Sequence, residues 1–425
     1  MTPGEIILLN TFGTVARTSS AYQDALAWLY RTQCFGIKLG LENIQGLLRE
    51  LSLPAPEQRV IHVAGTNGKG SVCAMIDSIC RAQGYRTGLF TSPHLVTYRE
   101  RIRVNGEMIS QERVAEGLTM IRDLIKDWEP HPTFFEITTA LGLIHFKQCD
   151  CELVILETGL GGRLDATNAV RPVVSVITPI GYDHQSWLGN TLEEIAGEKA
   201  GIIQPHIPVV SAEQEPAAAK VIQARAADRE APLQIVTEPY TKTPVALNGA
   251  HQKKNAALAI AALQCGGIGI NPNSIARGLR KVDWPARFEC WDNRTIIDGA
   301  HNPAGAKTLA ETWREKFGDE RATIILAVLR DKDVAGIWRA LAPIAESVML
   351  PKIQTERALP ADTLAETILA ITPKLPFSIT ASIAEAFDQA QAKPSRILVT
   401  GSLHFAGEFL ATVKGETNAF EECAQ

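Results

Sequence analysis

Short apolar runs alternate along this chain with stretches in which apolar residues recur every three or four positions. Val60-Ile-His-Val63, Leu153-Val-Ile-Leu156, Val173–Thr178 and Val209-Val-Ser211 are of the first kind. Such runs, bounded by Gly or Pro, read as strands buried on both faces of a parallel sheet. The second kind includes Leu41, Ile44, Leu47 and Leu48 within a largely helical 20–50, and Ala74, Ile76, Ile79 and Cys80 within Ser71–Gln83. Gly84 ends that helix, and Thr87–Ser92 follows as a strand. Helices are also expected from Thr133 into Lys147, over Leu192–Ala200 and from His251 to Leu263. Strand, helix, strand is the rhythm of an α/β sheet with helices on both faces.

The rhythm breaks at Trp284-Pro-Ala-Arg287 and then restarts. Thr295–Asp298, Thr323–Leu329, Ser347–Leu350 and Arg396–Thr400 read as a second set of strands. The fold expected is a P-loop-containing, mostly parallel, doubly wound N-terminal sheet over 1–286, with a smaller Rossmann-like α/β domain over 287–425. A length of 425 residues agrees with two cores rather than one. Residues 416–425 are expected to be a frayed tail.

Composition narrows the function only by exclusion. Apolar residues make up 45%, charged residues 21%, and the net charge is −5, so nothing suggests nucleic acid or an anionic membrane as a partner. No run approaches the roughly 18 apolar residues of a membrane span. The eight cysteines include no C-x-x-C pair, and Met1-Thr-Pro-Gly-Glu lacks a signal-peptide pattern, so a cytoplasmic protein with reduced thiols is expected.

The chemistry gathers where strands end. Val60–Val63 runs into Gly65-Thr-Asn-Gly-Lys-Gly-Ser71, a glycine-rich turn opening a helix. Backbone N–H groups curled into one concavity, a lysine and a helix N-terminus make a phosphate cradle. Other strand ends carry Ser92, Glu157 and Asp183-His184. Oxygen and imidazole ligands beside phosphates suit a nucleotide with a divalent ion such as Mg²⁺. Taken singly, Ser92 could cap a turn, His184 could be a core histidine and Lys199 a surface charge on a helix. Arg287 stands at the break between the domains, where it can reach across a cleft, and Asp298-Gly-Ala-His-Asn-Pro303 is a further strand-end turn.

In combination these segments resemble the folylpolyglutamate synthase and dihydrofolate synthase family of the Mur-ligase superfamily. The resemblance rests on Gly65–Ser71, Thr91-Ser-Pro-His-Leu95, Glu157–Asn168, Asp183-His184, Glu198-Lys-Ala-Gly-Ile202 and Asp298–Pro303, in the family's order. It implies an ATP-dependent ligase that activates a carboxylate as an acyl phosphate, which the amine of L-glutamate then attacks. By the same resemblance, Gly65, Thr66, Asn67, Gly68, Lys69, Gly70, Ser71, Asn255, Arg287 and Asp298 bind ATP. Ser92, Glu157, His184 and Lys199 hold two Mg²⁺ ions, Lys199 as a carbamate, with a monovalent cation such as K⁺ nearby. Lys69, Lys199 and His301 are the catalytic candidates. Thr133, Phe134, Phe135, Glu136, Leu164, Asp165 and Ala166 correspond to dihydropteroate contacts, the aromatic rings suiting a planar pterin. The implied partners are L-glutamate, dihydropteroate and reduced folates, and the implied state is a monomer whose domains close on substrate.

Two rivals have distinct signatures. A cell-wall Mur ligase shares the chemistry but calls for a nucleotide-sugar domain ahead of the phosphate loop, and the stretch before Val60 is too short for one. Gly70, between Lys69 and Ser71, also favours the folate branch. A nucleotide-binding regulator without catalysis would lack at least one ligand, and none is missing.

Overall fold

Two sheets lie on either side of the Trp284–Arg287 break in a computed structural model that describes residues 20–35 and 40–422. The first contains β1 (Arg59–Ala64), β2 (Thr87–Phe90), β3 (Ile102–Val104), β4 (Glu107–Met108), β5 (Leu153–Glu157), β6 (Val174–Ile177), β7 (Val209–Ala212) and β8 (Leu233–Val236). Their order is β4-β3-β2-β5-β1-β6-β7-β8, parallel except for the β2–β3 and β3–β4 pairs. β1 is therefore central, with Val63 beside Glu157 of β5 on one flank and beside Val176 of β6 on the other. From β1 the chain crosses outward to β2, and from β5 it crosses to β6 on the opposite side. Such a reversal opens a crevice at the carboxyl ends of the strands.

Alternation along the strands divides the core. Val60, Val154 and Leu156 pack under helices 20–31, Glu42–Glu50, Gln111–Leu124 and Phe134–Gln148. Ile61, Val63, Leu153 and Ile155 face Lys69–Gln83, Ala250–Cys265 and Pro272–Lys281. Each fully buried Leu or Ile contributes about 1.5–3 kcal/mol, so a polar residue on either face would be costly.

The second sheet holds β9 (Glu289–Cys290), β10 (Thr295–Ile297), β11 (Ala322–Leu326), β12 (Ala345–Pro351), β13 (Phe377–Thr380) and β14 (Arg396–Thr400), in the order β13-β12-β11-β14-β10-β9. Only β9 runs antiparallel. Trp313 and Trp338 are wholly buried on one face. On the other, Phe405 and Phe409 pack with Leu95 and Val96, which belong to the first half of the chain.

Two expectations need correction. The polar stretch Ser92–Arg101, which reads from sequence as a loop, is not loop throughout: it closes with a 3₁₀ turn at Tyr98–Arg101 and feeds the β3–β4 hairpin. Asn105 and Gly106, both at positive φ (52° and 86°), form its turn, and Asn-Gly between short apolar-polar pairs was the available signal. Nor is 416–422 a frayed tail. Those residues return to the first domain, where the Glu421 carboxylate accepts hydrogen bonds from Tyr22, Thr97 and Tyr98; residues 423–425 lie outside the described residues.

Candidate active site

The turn after β1 is built by its glycines. Gly65 and Gly68 sit at φ +147° and +90°, and a side chain on Gly65 would collide with Thr178. Thr66 and Asn67 donate their backbone N–H groups to the Pro179 carbonyl at 3.0 and 3.2 Å, pinning the turn across the β6 end. Gly68 is the N-cap of helix Lys69–Gln83, and no side chain caps that end. Its first-turn N–H groups are therefore left to an anion. Asn255 packs against Gly68, and its Nδ2 donates to Gln252, whose own Nε2 donates to Ser71 Oγ at 3.4 Å. A Cβ on Gly70 would lie 2.8 Å from the Trp284 indole nitrogen, so only glycine lets the interdomain break pack on the cradle.

Two ammonium groups meet at one acceptor. Lys69 Nζ donates to the carbonyls of Gly65 and Thr66 at 3.1 and 3.3 Å and forms no ion pair among the described residues. Lys199 Nζ, from helix Leu192–Ala200, donates to the same Gly65 carbonyl at 2.8 Å. Burial first, and the Lys69 charge second, lower the Lys199 pKa from 10.5 to about 7. Near neutral pH the Lys199 amine is therefore partly neutral beside Lys69.

Glu157 ends β5, is 4% exposed, and accepts a hydrogen bond from Ser92 N at 3.1 Å. Burial raises its pKa, opposed by Lys69, the Ser92 N–H and Arg287. Among the described residues no three His, Cys, Asp or Glu side chains gather as a metal-holding group. The donor set around the cradle, one carboxylate with the Ser92 hydroxyl nearby, fits a hard cation completed by phosphate oxygens and water better than a protein cage. His184 is exposed, in left-handed backbone at φ 51°, with Nε2 3.9 Å from Asp183.

Asp183 is the joint between the two sheets. Lys332 Nζ donates to its Oδ1 at 2.7 Å, Asn302 Nδ2 to its Oδ2 at 3.1 Å, and His301 Nε2 stands 3.3 Å away. Burial pushes this carboxyl up, but the His301 hydrogen bond and the charges of His301, His184 and Lys332 outweigh it and hold the group far below the ordinary carboxylate range. Asn302 also donates to Asn67 Oδ1 at 3.1 Å and caps helix Pro303–Phe317 through Gly305 N. Lys332 escaped the sequence analysis as a site residue, because nothing in Arg330-Asp-Lys-Asp333 announces which residue it will meet. Asp298 accepts from Phe288 N and Ala300 N at 2.7 and 2.8 Å, bracing the turn that carries His301. Arg287 donates to the Ala286 carbonyl and, with Ser92, Glu157, Gly70, Trp284 and Leu403, lines a cleft between the sheets.

The remaining candidates lie at the start of helix Phe134–Gln148 and in the turn after β5, and most of them are buried. Thr133 caps helix Phe134–Gln148 in a capping box with Glu136. Phe134 stacks on Tyr30 at 5.7 Å, and Phe135 meets Phe90 edge-on and fills the space beneath Gly159. Asp165 accepts from Gly159 N and Leu160 N at 2.9 and 2.8 Å, so it folds the turn after Glu157 back on itself. Leu164 and Ala166 flank it, Ala166 in the core and Leu164 half-buried.

This arrangement has known counterparts. Residues 63–229 match the model of the Mur ligase middle domain and 286–403 that of the Mur ligase, glutamate ligase domain, which defines the class. The dihydrofolate synthase/folylpolyglutamate synthase of Bacillus subtilis is 36% identical over 433 residues, covering 93% of this chain and 100% of that protein. Among solved structures, the bifunctional folylpolyglutamate synthase/dihydrofolate synthase of Yersinia pestis complexed with AMPPNP and Mn ion superimposes with a TM-score of 0.83 at 30% identity, over 92% of this chain and 98% of that one. Escherichia coli FolC in complex with DHPP and ADP gives 0.82 at 32%, over 92% and 98%. The chain belongs to the dihydrofolate synthase/folylpolyglutamate synthase family of Mur ligases.

Proposed function

We propose that this chain is an ATP-dependent ligase that adds L-glutamate to folates, and to 7,8-dihydropteroate, through an acyl phosphate. The observation that carries the reading is the convergence of Lys69 and Lys199 on the Gly65 carbonyl, at the mouth of an uncapped helix. A carboxylate is a poor electrophile until one oxygen becomes a leaving group, and phosphoryl transfer depends on positioning and charge neutralisation. Lys69 and the first-turn N–H groups of its helix hold the nucleotide phosphates. Asn255, Arg287 and Asp298 complete the nucleotide site, and His301 stands beside the transferred group.

Glu157, Ser92 and His184 are the protein's ligands for Mg²⁺, which neutralises phosphate charge when bound. The depressed pKa of Lys199 leaves a fraction of its amine neutral, the form that carbon dioxide carbamylates; the carbamate is a carboxylate-like ligand for a second Mg²⁺, with K⁺ as a further ion. Thr133–Glu136 and Leu164–Ala166 form the dihydropteroate wall. Division at 286/287, a monomeric state, no nucleic-acid partner and a cytoplasmic location complete the reading. Among the described residues no helix is long and apolar enough to cross a membrane.

The deciding experiment measures ATP hydrolysis in the presence of L-glutamate with dihydropteroate, tetrahydrofolate or methylene-tetrahydrofolate as acceptor. Turnover with the folates alone makes the chain a polyglutamylase, and turnover with all three makes it bifunctional. No acceptor-dependent turnover defeats the proposal.

A further inference from the structure

The pterin-side wall leans on the last described residues of the chain. After helix Leu403–Lys414 and a single turn at Thr417–Ala419, the backbone crosses to the first domain. Glu421 N donates to the Val96 carbonyl at 2.8 Å, and the Glu421 carbonyl accepts from His94 Nε2 at 2.8 Å. The Glu421 carboxylate accepts from Tyr98 N at 2.6 Å, Tyr22 Oη at 2.9 Å and Thr97 Oγ1 at 3.1 Å. Three donors on one carboxylate make charge-assisted hydrogen bonds, stronger and more directional than apolar packing.

These contacts continue to Phe134. With Nε2 donating to the tail, the buried His94 keeps Nδ1 as an acceptor, and Arg101 Nε donates to it at 2.9 Å. The Arg101 guanidinium lies over the Phe134 ring, 5.5 Å from its centroid. Tyr98, held by Glu421 through its backbone, meets the same ring edge-on at 6.3 Å. Tyr30, which stacks on Phe134, shares helix 20–31 with Tyr22. Arg101, Tyr98 and Tyr30 all trace to Glu421 within a few contacts. A second observation fixes the same segment: Gly407 packs so tightly on the Leu95 carbonyl that any side chain there would displace it.

We propose that Glu421 is a positioning residue for the pterin end of the site, and that the 416–422 tail is a strap through which the second domain sets the placement of His94, Arg101 and Phe134. This rests on the folate-ligase reading. The strap governs affinity for the pterin-bearing substrate and leaves the nucleotide site alone, since Glu421 touches no residue of Gly65–Ser71.

The test compares the full chain with Glu421→Ala, Glu421→Gln and Tyr22→Phe. Binding of dihydropteroate is followed by its fluorescence, and KM is measured separately for dihydropteroate and ATP. In Glu421→Ala the Kd and KM for dihydropteroate should rise about tenfold, as expected for losing charge-assisted hydrogen bonds, while KM for ATP stays near wild type. Tyr22→Phe removes one donor only and should give a smaller rise in the same parameter; it and Glu421→Gln carry the test if the alanine variant does not fold. Wild-type affinity in all folded variants, or equal rises in both KM values, would overturn the strap. Failure of the wild type itself to bind dihydropteroate would instead defeat the pterin-site reading.

Discussion

The two proposed walls, one for nucleotide and one for pterin, are built by opposite means. The first is contiguous: Gly65 to Ser71 form one strand–turn–helix junction, and Lys69 bonds within its own turn. The second is assembled from helix 20–31, Ser92–Arg101, Thr133–Glu136, the Asp165 turn and Glu421. A contiguous site is determined by local backbone geometry, so its residues should act on one substrate and act sharply. A distributed wall shares its load, so single changes there should be graded.

The largest effect should come from Lys69→Ala. Turnover of ATP should fall on the order of 10²–10³-fold, the scale for losing one preorganised charge-stabilising donor, with dihydropteroate binding unchanged by fluorescence. Loss of pterin affinity in that variant would break the separation of the two walls. Next is Glu157→Gln, which should raise the Mg²⁺ concentration for half-maximal activity by about 10–100-fold; an unmoved titration removes Glu157 from the metal site. Lys199→Ala should slow turnover and be partly rescued by small carboxylic acids, and indifference to the mutation would deny Lys199 a role.

The smallest effect belongs beneath the strap. Glu408 is 7% exposed, and burial, opposed by a hydrogen bond from Gln354 N and reinforced by Glu422, raises its pKa from 4.5 to about 7. The folded state therefore holds a proton that the unfolded state has released between those values, so Glu408 costs stability progressively as pH rises from about 4.5 to 7. Glu408→Gln should raise the melting midpoint at pH 8 and leave it unchanged at pH 4. A gain of equal size at both would mean the side chain's shape, and not its charge, is what matters.

The strands of both sheets were legible because continuous apolar runs such as Val60–Val63 and Leu153–Leu156 admit few other structures. β3, β4 and β9 were not, being two or three residues long, nor were the partly exposed edge strands β8 and β13; all five are held by neighbours rather than by an apolar run. The Gly65–Ser71 turn opening helix Lys69–Gln83 was legible for the same local reason. Asp183 was visible as part of a motif, but its role as the joint receiving Lys332, His301 and Asn302 was not, because those partners arrive from the other domain.

Sequence by itself determined the two α/β units, the glycine-built turn and the chemical kind of each strand-end group, since strand burial, turn conformation and ligand type depend on neighbours in the chain. Tertiary structure alone decided that Lys199 meets Lys69, that Trp284 packs on Gly70, and that Glu421 reaches back to Tyr22 and Tyr98. Those contacts join residues far apart in the chain, and their strength depends on a burial that exists only after both sheets have packed. Residues with no local reason for their identity, such as Glu421, are explained by the surface they meet.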